Sequence, residues 1–220
     1  MNYLINFIIS LSIVFAVIIG LIRFRKIDKA WYPFVYRACL VLLVEILRRI
    51  FIVMQDTHTA SAILNVFSFL DFYLFTLFFN NWGLTNNKRP FQITVIVFFL
   101  CWVIITFFIG GFTSANLYFR ILYSFALVFF SVSMLNGLIV RERGNILKNP
   151  LFLVCVGVII FYTLFILVCV TQLSLFRQNI SKGFRQNLQE IISYTNLFVN
   201  LIYALALLWV PRKKNFTSLF

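Results

Sequence analysis

The stretch Pro90–Phe119 contains thirty consecutive residues without one charged side chain. About 20 residues of α-helix are enough to cross the hydrocarbon core of a bilayer, which is about 30 Å thick. The whole chain has the same character, since 62% of its residues are hydrophobic and 11% are charged, against roughly 25% charged residues in a soluble domain. The sequence therefore predicts an integral membrane protein, with no soluble domain within its 220 residues.

Seven segments are long and apolar enough to be membrane spans. We predict them near residues 3–22, 31–54, 60–82, 91–110, 117–140, 150–172 and 190–210. The expected fold is an all-α membrane protein, a compact bundle of seven transmembrane helices that forms one domain over residues 1–220. Most connections are short, which favours antiparallel packing of consecutive helices. The exception is the predicted outer connection at residues 171–188.

The distribution of basic residues predicts the orientation of the bundle. Twelve basic residues lie in the loops and tail of one face: Arg23, Arg25, Lys26, Lys29, Lys88, Arg89, Arg141, Arg143, Lys148, Arg212, Lys213 and Lys214. The other face has three, which are Arg177, Lys182 and Arg185. Because basic loops stay on the cytoplasmic side, we expect the N-terminus outside and the C-terminus in the cytoplasm. The first segment lacks a basic residue ahead of it, so it is predicted to be a span and not a signal peptide.

The net charge of +13 predicts contact with lipid and not with nucleic acid. Most of the excess lies in short loops on the predicted cytoplasmic face, where anionic lipid headgroups supply the opposite charge. Such loops are too short to form a nucleic-acid-binding surface. The expected partners are the lipid bilayer and anionic lipid at the cytoplasmic face. Frequent Phe, Ile and Asn suggest a bacterial plasma (inner) membrane.

The second predicted span carries three charges in the stretch VLLVEILRRIFIVM. Glu45 precedes Arg48 and Arg49 by three and four residues, the spacing at which side chains on a helix meet, with the acid first as is favourable. We therefore expect a local ion pair. One carboxylate does not neutralise two guanidinium groups, so the surplus arginine is expected to pair with Asp71 or Glu190 on another span.

Several predicted spans contribute polar residues mainly to the outer half of the bundle. The predicted ligand-binding residues or polar network are Glu45, Arg48, Arg49, Asn65, Ser68, Asp71, Arg120, Tyr123, Glu190, Ser193, Asn196 and Asn200. One interpretation is an outward-facing pocket, because ionisable residues at membrane depth are costly and tend to be functional. The alternatives are a network that holds helices together and extension of the three arginines toward lipid headgroups.

Other chemistry finds little support in the sequence. Four cysteines lie in spans without a CxxC pair, and His58 is the only histidine, so neither a metal site nor a cofactor is expected. Ser68 and Asp71 lack the glycine-rich turn of a nucleophile, and an enzyme is not favoured. No proline lies in the middle of a span, which predicts continuous helices and argues against a transporter with broken helices.

Three functions remain open. The first is a receptor-like, sensory module that binds a small polar or anionic ligand from outside and signals through a separate cytoplasmic or membrane protein partner. The second is a transporter or channel for a small solute or ion, which requires a polar path to the inner face. The third is a structural or assembly subunit of a membrane complex.

Overall fold

The computed structural model describes residues 9, 11–84, 88–141 and 146–211 of the chain. Within these residues seven long helices follow one another, labelled α1 to α7: α1 Ile13–Arg23, α2 Tyr32–Val53, α3 Thr57–Asn81, α4 Lys88–Ile104, α5 Leu117–Arg141, α6 Pro150–Gln172 and α7 Lys182–Trp209. A π-helix, Ile105–Gly110, extends α4, and a single helical turn, Ser174–Arg177, lies between α6 and α7. The described residues contain no strand, as expected of an all-α protein.

Five of these helices are long and apolar enough to cross a membrane: α3, α4 with its π-helix, α5, α6 and α7. The chain is a multi-pass membrane protein. α1 falls short because its described part has 11 residues. Residues 3–8 and 10 of the predicted first span lie outside the described residues. α2 has 22 residues but carries four charges, Arg37, Glu45, Arg48 and Arg49.

Six helices form a closed ring, and α4 lies outside it. α2 packs on α1 and α3, α5 packs on α3 and α6, and α7 packs on α6 and closes the ring against α1. α4 packs mainly on α3, and only 6% of its most apolar segment is buried, against 28–44% in the other four candidate spans. The uncharged segment is therefore the least buried of the five candidate spans.

The boundaries of most helices match the predicted spans, but the last one does not. α7 begins at Lys182, eight residues before the predicted start at Glu190. Ser181 caps this helix, because its hydroxyl oxygen accepts a hydrogen bond from the Phe184 N–H, and Ser is a preferred N-cap residue. The prediction of a connection over residues 171–188 is therefore wrong from Lys182 onward. The first turns of α7 are polar, and they lack the apolar run from which a span is predicted.

The C-terminal end of α7 is held by an arginine from the end of α1. Arg23 donates through Nη1 to the Leu207 carbonyl (2.8 Å) and through Nη2 to the Val210 carbonyl (2.6 Å), and also reaches the Leu208 carbonyl. Carbonyls at a helix C-terminus lack partners within the helix and carry partial negative charge. Arg23 therefore ties the C-terminal ends of α1 and α7 together.

The core between the helices is rich in aromatic rings. The fully buried ones include Trp31, Phe34, Phe72, Phe75, Phe78, Phe79 and Phe119. Phe34 of α2 contacts Phe78 of α3 (ring centroids 5.4 Å apart) and Tyr203 of α7 (5.2 Å). Phenylalanine therefore occurs inside the bundle as well as on its surface, where Phe108 and Phe129 are exposed.

Candidate functional site

A cavity of about 530 Å³ opens at the predicted outer end of the bundle. It lies among the start of α5, the end of α6 and the start of α7. Its lining residues are Ala115, Leu117, Gln172, Arg177, Lys182, Arg185, Gln186 and Gln189. We call it the outer basic cavity. Since α7 begins at Lys182, residues 182, 185, 186 and 189 share one helical face, and that face lines the cavity.

The outer basic cavity is positively charged. Three of its lining residues, Arg177, Lys182 and Arg185, are basic and none is acidic. The Nε atom of Arg185 is buried and has no hydrogen-bond partner in the described chain. A recessed surface lined by one sign of charge attracts ions of the opposite sign. The three glutamine amides add hydrogen-bond donors and acceptors, so the lining is suited to an anion that also carries polar groups.

Arg120 lies on α5, one turn along the helix from the cavity residue Leu117 and on the same helical face. Its Nη2 atom is buried without a hydrogen-bond partner in the described chain.

The local ion pair predicted in α2 is confirmed for Arg48. Arg48 Nη1 lies 3.9 Å from Glu45 Oε2, with 43% and 27% of the two side chains exposed. Arg49, next to it on the helix, is half-buried.

Asp71 pairs with a different arginine from the one predicted. Arg37 Nε donates to Asp71 Oδ1 at 2.8 Å, and both residues are buried. From the helix rise, Arg37 lies about 8 Å from the middle of α2 toward its N-terminus, and Arg48 about 8 Å from it toward the C-terminus. Asp71 lies about 3 Å from the middle of α3 toward its C-terminus. Because α2 and α3 are antiparallel neighbours, Asp71 is nearer in depth to Arg37. The predicted pairing with a surplus arginine near residue 48 was wrong for Asp71.

Aromatic side chains complete the surroundings of this buried pair. The Tyr162 hydroxyl of α6 donates to Asp71 Oδ2, and Arg37 Nη2 donates to the Tyr162 oxygen at 3.4 Å. The Arg37 guanidinium lies 4.1 Å from the ring centre of Phe75 and 5.6 Å from that of Tyr203. Cation–π contacts of this kind compensate part of the lost hydration. The cluster joins four helices at the centre of the bundle.

The side chains of Asn65 and Ser68 form hydrogen bonds with backbone groups. Asn65 Nδ2 donates to the carbonyls of Phe112 (2.8 Å) and Ser114 (2.7 Å), and its Oδ1 accepts from the Asn116 N–H (3.1 Å). The Ser68 hydroxyl donates to the Asn65 carbonyl. Asn65 thus fixes the connection from the π-helix to α5, as expected of polar residues that hold membrane helices together.

The predicted residues of α5 and α7 lie at different depths. Tyr123 is buried with its ring centre 5.9 Å from that of Tyr162. Asn200 donates to the Ser12 hydroxyl at 2.8 Å near the start of α1. Glu190, Ser193 and Asn196 are half-buried along α7, and the Ser193 hydroxyl bonds its own helix. Within the described chain, the twelve predicted residues form several small clusters, and none of them lines the outer basic cavity.

Comparison with known protein families, with curated proteins and with solved structures finds no match to this chain. The geometry of the site must therefore carry the functional interpretation.

Two groups of residues in the candidate site and the buried cluster were not predicted from the sequence. The cavity residues were counted as outer-loop charges, although Lys182 and Arg185 have the spacing of one helical face and precede Gln186 and Gln189. Arg37 lies early in the second predicted span, apart from the polar residues predicted for the outer half, and Tyr162 gives no signal of its own. The i, i+3 spacing of polar residues ahead of the seventh span was the signal for the first group.

Proposed function

We propose that this protein is a receptor-like membrane module that binds a small anionic ligand at its outer face and signals through a separate protein partner. The observation that carries the proposal is the outer basic cavity, with three cations and no acid in its lining. Its volume of about 530 Å³ lies within the range of about 300–1,000 Å³ typical of small-molecule sites.

All seven long helices cross the bilayer in this proposal, with the N-terminus outside. α1 and α2 are spans in this proposal although neither is among the five candidate spans. α2 needs the fuller explanation because it carries four charged residues. Arg37 is paired with Asp71 and Arg48 with Glu45, which offsets part of the cost of about 2.5–3.5 kcal/mol for each charged residue near the bilayer centre. The basic loops then face the cytoplasm and its anionic lipids, in a bacterial inner membrane or a comparable plasma membrane.

The ligand is an anion with carboxylate or phosphoryl groups. Arg177 and Arg185 offer guanidinium groups, which bind such groups through paired hydrogen bonds. The amides of Gln172, Gln186 and Gln189 would bind polar groups of the same molecule. A simple cation or an apolar solute would gain nothing from this lining.

α7 connects the cavity to the inner face. Its 28 residues form a rod about 42 Å long, with Lys182 and Arg185 in the cavity and Trp209 at the other end. Tyr203 contacts the buried Arg37 on the way, and Arg23 binds the last carbonyls. A shift of α7 on ligand binding would therefore reach the inner loops, where a signalling partner would bind.

Transport of a small solute is the second candidate, favoured by another cavity at the inner end. This cavity, of about 210 Å³, lies among α3, α4 and α5 and includes Thr76, Asn80, Thr94 and Ser133 in its lining. The Arg37–Asp71 cluster and the phenylalanine core lie between the depths of the two cavities, and Asn136 is exposed on α5. These features favour a protein that binds its ligand at the outer face over one that transports the ligand through the bundle. A role as an assembly subunit has no comparable observation in its favour.

A thermal-shift screen of the purified full-length chain tests the proposal. The probes are sodium phosphate, sulfate, citrate and glutamate at constant ionic strength, because an anion that binds the folded state raises its apparent stability. At least one multivalent anion should raise the melting temperature of the wild type and not that of Arg185→Gln. Lys148→Gln, an exposed charge at the opposite end, should respond like the wild type.

The two candidates differ in a second measurement. Proteoliposomes loaded with buffer should show no uptake of the stabilising anion if the protein is a receptor, whereas a transporter would accumulate it inside. If no anion stabilises the wild type, or if Arg185→Gln responds equally, the proposed anion site is wrong.

A further inference from the structure

The smaller cavity, of about 210 Å³, lies where α3 ends and α4 begins, between these two helices and α5. Its lining residues are Thr76, Asn80, Leu84, Phe91, Thr94, Phe129, Phe130 and Ser133. We call it the aromatic cavity. It shares no lining residue with the outer basic cavity, so whatever it binds is a second ligand and not the proposed anion.

The lining of the aromatic cavity selects against ions. None of the described residues that line it is charged, and an ion that enters apolar surroundings without a counter-charge loses its hydration at high cost. Three of the eight lining residues are phenylalanines, Phe91, Phe129 and Phe130. Aromatic rings pack favourably against other rings in offset or edge-to-face arrangements. The lining therefore suits an uncharged, flat ring.

The polar groups of the cavity are mainly hydrogen-bond acceptors. The Thr76 hydroxyl donates to the Phe72 carbonyl at 2.8 Å, and the Thr94 hydroxyl donates to the Pro90 carbonyl at 2.9 Å. Each threonine has thereby used its only side-chain hydrogen, while its oxygen can still accept a bond. A ligand that carries a hydroxyl group matches these fixed acceptors better than one that carries only carbonyl groups.

Two other side chains adapt to the remaining polar atoms of such a ligand. Ser133 is exposed on α5 and carries a hydroxyl that both donates and accepts. Asn80, one turn of α3 beyond Thr76, adds an amide. The set of acceptors with one adaptable hydroxyl is therefore suited to a phenol, which donates one hydrogen bond and accepts another. A phenol is also uncharged at neutral pH, because its pKa is about 10.

The size of the cavity limits the ligand to one ring. An apolar cavity of about 150 Å³ is large enough for benzene, so about 210 Å³ accommodates a benzene ring with a hydroxyl and a short alkyl group. Sites for drug-sized molecules are larger, at about 300–1,000 Å³. A fused ring system or a nucleotide base with its sugar would not fit.

We propose that the aromatic cavity binds a neutral, single-ring phenol that enters from the bilayer. Phe129 is 71% exposed, so the lining reaches the surface of the bundle. One wall is formed by α4, the least buried of the five candidate spans. The same ring chemistry is found in a free phenol dissolved in the membrane and in the phenolic headgroup of a lipid, whose chain would remain outside the cavity.

The experiment compares two probes that differ in one hydrogen-bond donor, by their effect on the melting temperature of the purified full-length chain. The first is 4-propylphenol, and the second is 4-propylanisole, in which a methyl group replaces the hydroxyl hydrogen. At ten times its dissociation constant, 4-propylphenol should raise the melting temperature by about 3–6 °C relative to 4-propylanisole. The anisole accounts for the general effect of an aromatic solute on the micelle.

A third probe, 4-dodecylphenol, tests the route of entry. This compound stays in the micelle or bilayer, and it should stabilise the protein as 4-propylphenol does, because the cavity is reached from the membrane. Stabilisation by 4-propylphenol alone would place the entrance at the aqueous face and would overturn entry from the bilayer.

Three variants locate the binding site. Thr94→Phe fills the cavity with a ring and should abolish the increment due to 4-propylphenol. Ser133→Ala removes one neutral hydrogen-bonding group and should weaken binding of the phenol about fivefold. Ser193→Ala is the matched control, since it removes a hydroxyl from α7 that bonds its own helix and does not line the cavity. This variant should respond like the wild type.

Two results would overturn the phenol site. The first is an equal melting temperature of the wild type with 4-propylphenol and with 4-propylanisole, which requires no variant to fold. The second is a phenol increment that persists in Thr94→Phe or, if that variant does not fold, in Ser133→Phe. Thr94→Phe should still respond to the multivalent anion of the outer basic cavity, so failure of one site is distinguishable from failure of the other.

Discussion

Arg37 Nε and Asp71 Oδ1 lie 2.8 Å apart in the centre of the bundle, with 7% and 2% of their side chains exposed. This ion pair joins α2 to α3, and Tyr162 extends it to α6. A charge at this depth is tolerated because its partner and the ring of Phe75 replace water. The pair explains how α2, the most charged of the long helices described, fits into an apolar bundle.

Asp71→Asn should therefore destabilise the protein strongly. The substitution leaves the Arg37 charge buried without its counter-ion, and loss of one partner of a buried pair costs about 3–5 kcal/mol. The measurement is the free energy of unfolding in mixed detergent micelles. Glu45→Gln is the control, because the partly exposed pair with Arg48 should contribute less than about 1 kcal/mol. Equal effects of the two substitutions would contradict the central role of the buried pair.

Gly157→Ala should loosen the contact between α6 and α7. A Cβ atom at Gly157 would lie 2.6 Å from Tyr203 Cε1, so the tyrosine ring must move. Overpacking of this kind costs about 1–3 kcal/mol. Gly137→Ala on α5 meets nothing within 4 Å, and it should stabilise its helix by about 0.5–1 kcal/mol. Thermal unfolding of the two variants should shift in opposite directions, and a neutral Gly157→Ala would show that α6 and α7 are not in close contact.

Arg23→Gln should destabilise the C-terminal end of α7. The substitution removes the charged donor of the bonds to the Leu207 and Val210 carbonyls, with an expected loss of about 1–2 kcal/mol. Hydrogen exchange of the last turn of α7 should accelerate. Arg25→Gln, an exposed neighbour, should leave both quantities within about 0.5 kcal/mol of the wild type. Unchanged exchange in Arg23→Gln would refute the capping role.

Asp56 should make the start of α3 sensitive to acid. Its carboxylate accepts hydrogen bonds from the Thr59 hydroxyl (2.6 Å) and the Thr59 N–H (2.9 Å), and these bonds lower the pKa of Asp56 below its usual value. A lowered folded-state pKa means stabilisation that is present above the unfolded-state pKa of about 3.9 and is lost as the pH falls through the lowered pKa. The difference in stability between wild type and Asp56→Ala should shrink over that range. A difference independent of pH would exclude capping by the ionised carboxylate.

The sequence predicts the helices better than it predicts their contacts. Long apolar runs locate α5 and α6, and the spacing of Glu45 and Arg48 predicts their ion pair, because both features are properties of one helix. The Arg37–Asp71 pair depends on the relative depth and rotation of two helices, which no local pattern contains. The sequence does not predict the early start of α7, because the residues from Lys182 to Gln189 are mostly polar and precede the apolar run of the last span.

The residues of the outer basic cavity differ from those of the pocket predicted from the sequence. Polar residues in the outer half of several spans suggested a pocket for a small polar or anionic ligand. Asn65, Asp71 and Asn200 instead bond to other parts of the bundle. The cavity is lined by the start of α5, the end of α6, the turn at Ser174–Arg177 and the early start of α7. Burial of Arg185 Nε is visible only in the folded chain.

The most direct test of the account is calorimetric titration of the stabilising multivalent anion, for example citrate, into the purified wild type and into the Lys182→Gln/Arg185→Gln double variant. Loss of two cations from the outer basic cavity should weaken binding at least about 100-fold, at roughly 1.4 kcal/mol or more for each charge-assisted hydrogen bond. Lys148→Gln should bind like the wild type. Equal affinity of the wild type and the double variant would contradict the central claim that this cavity is the ligand site.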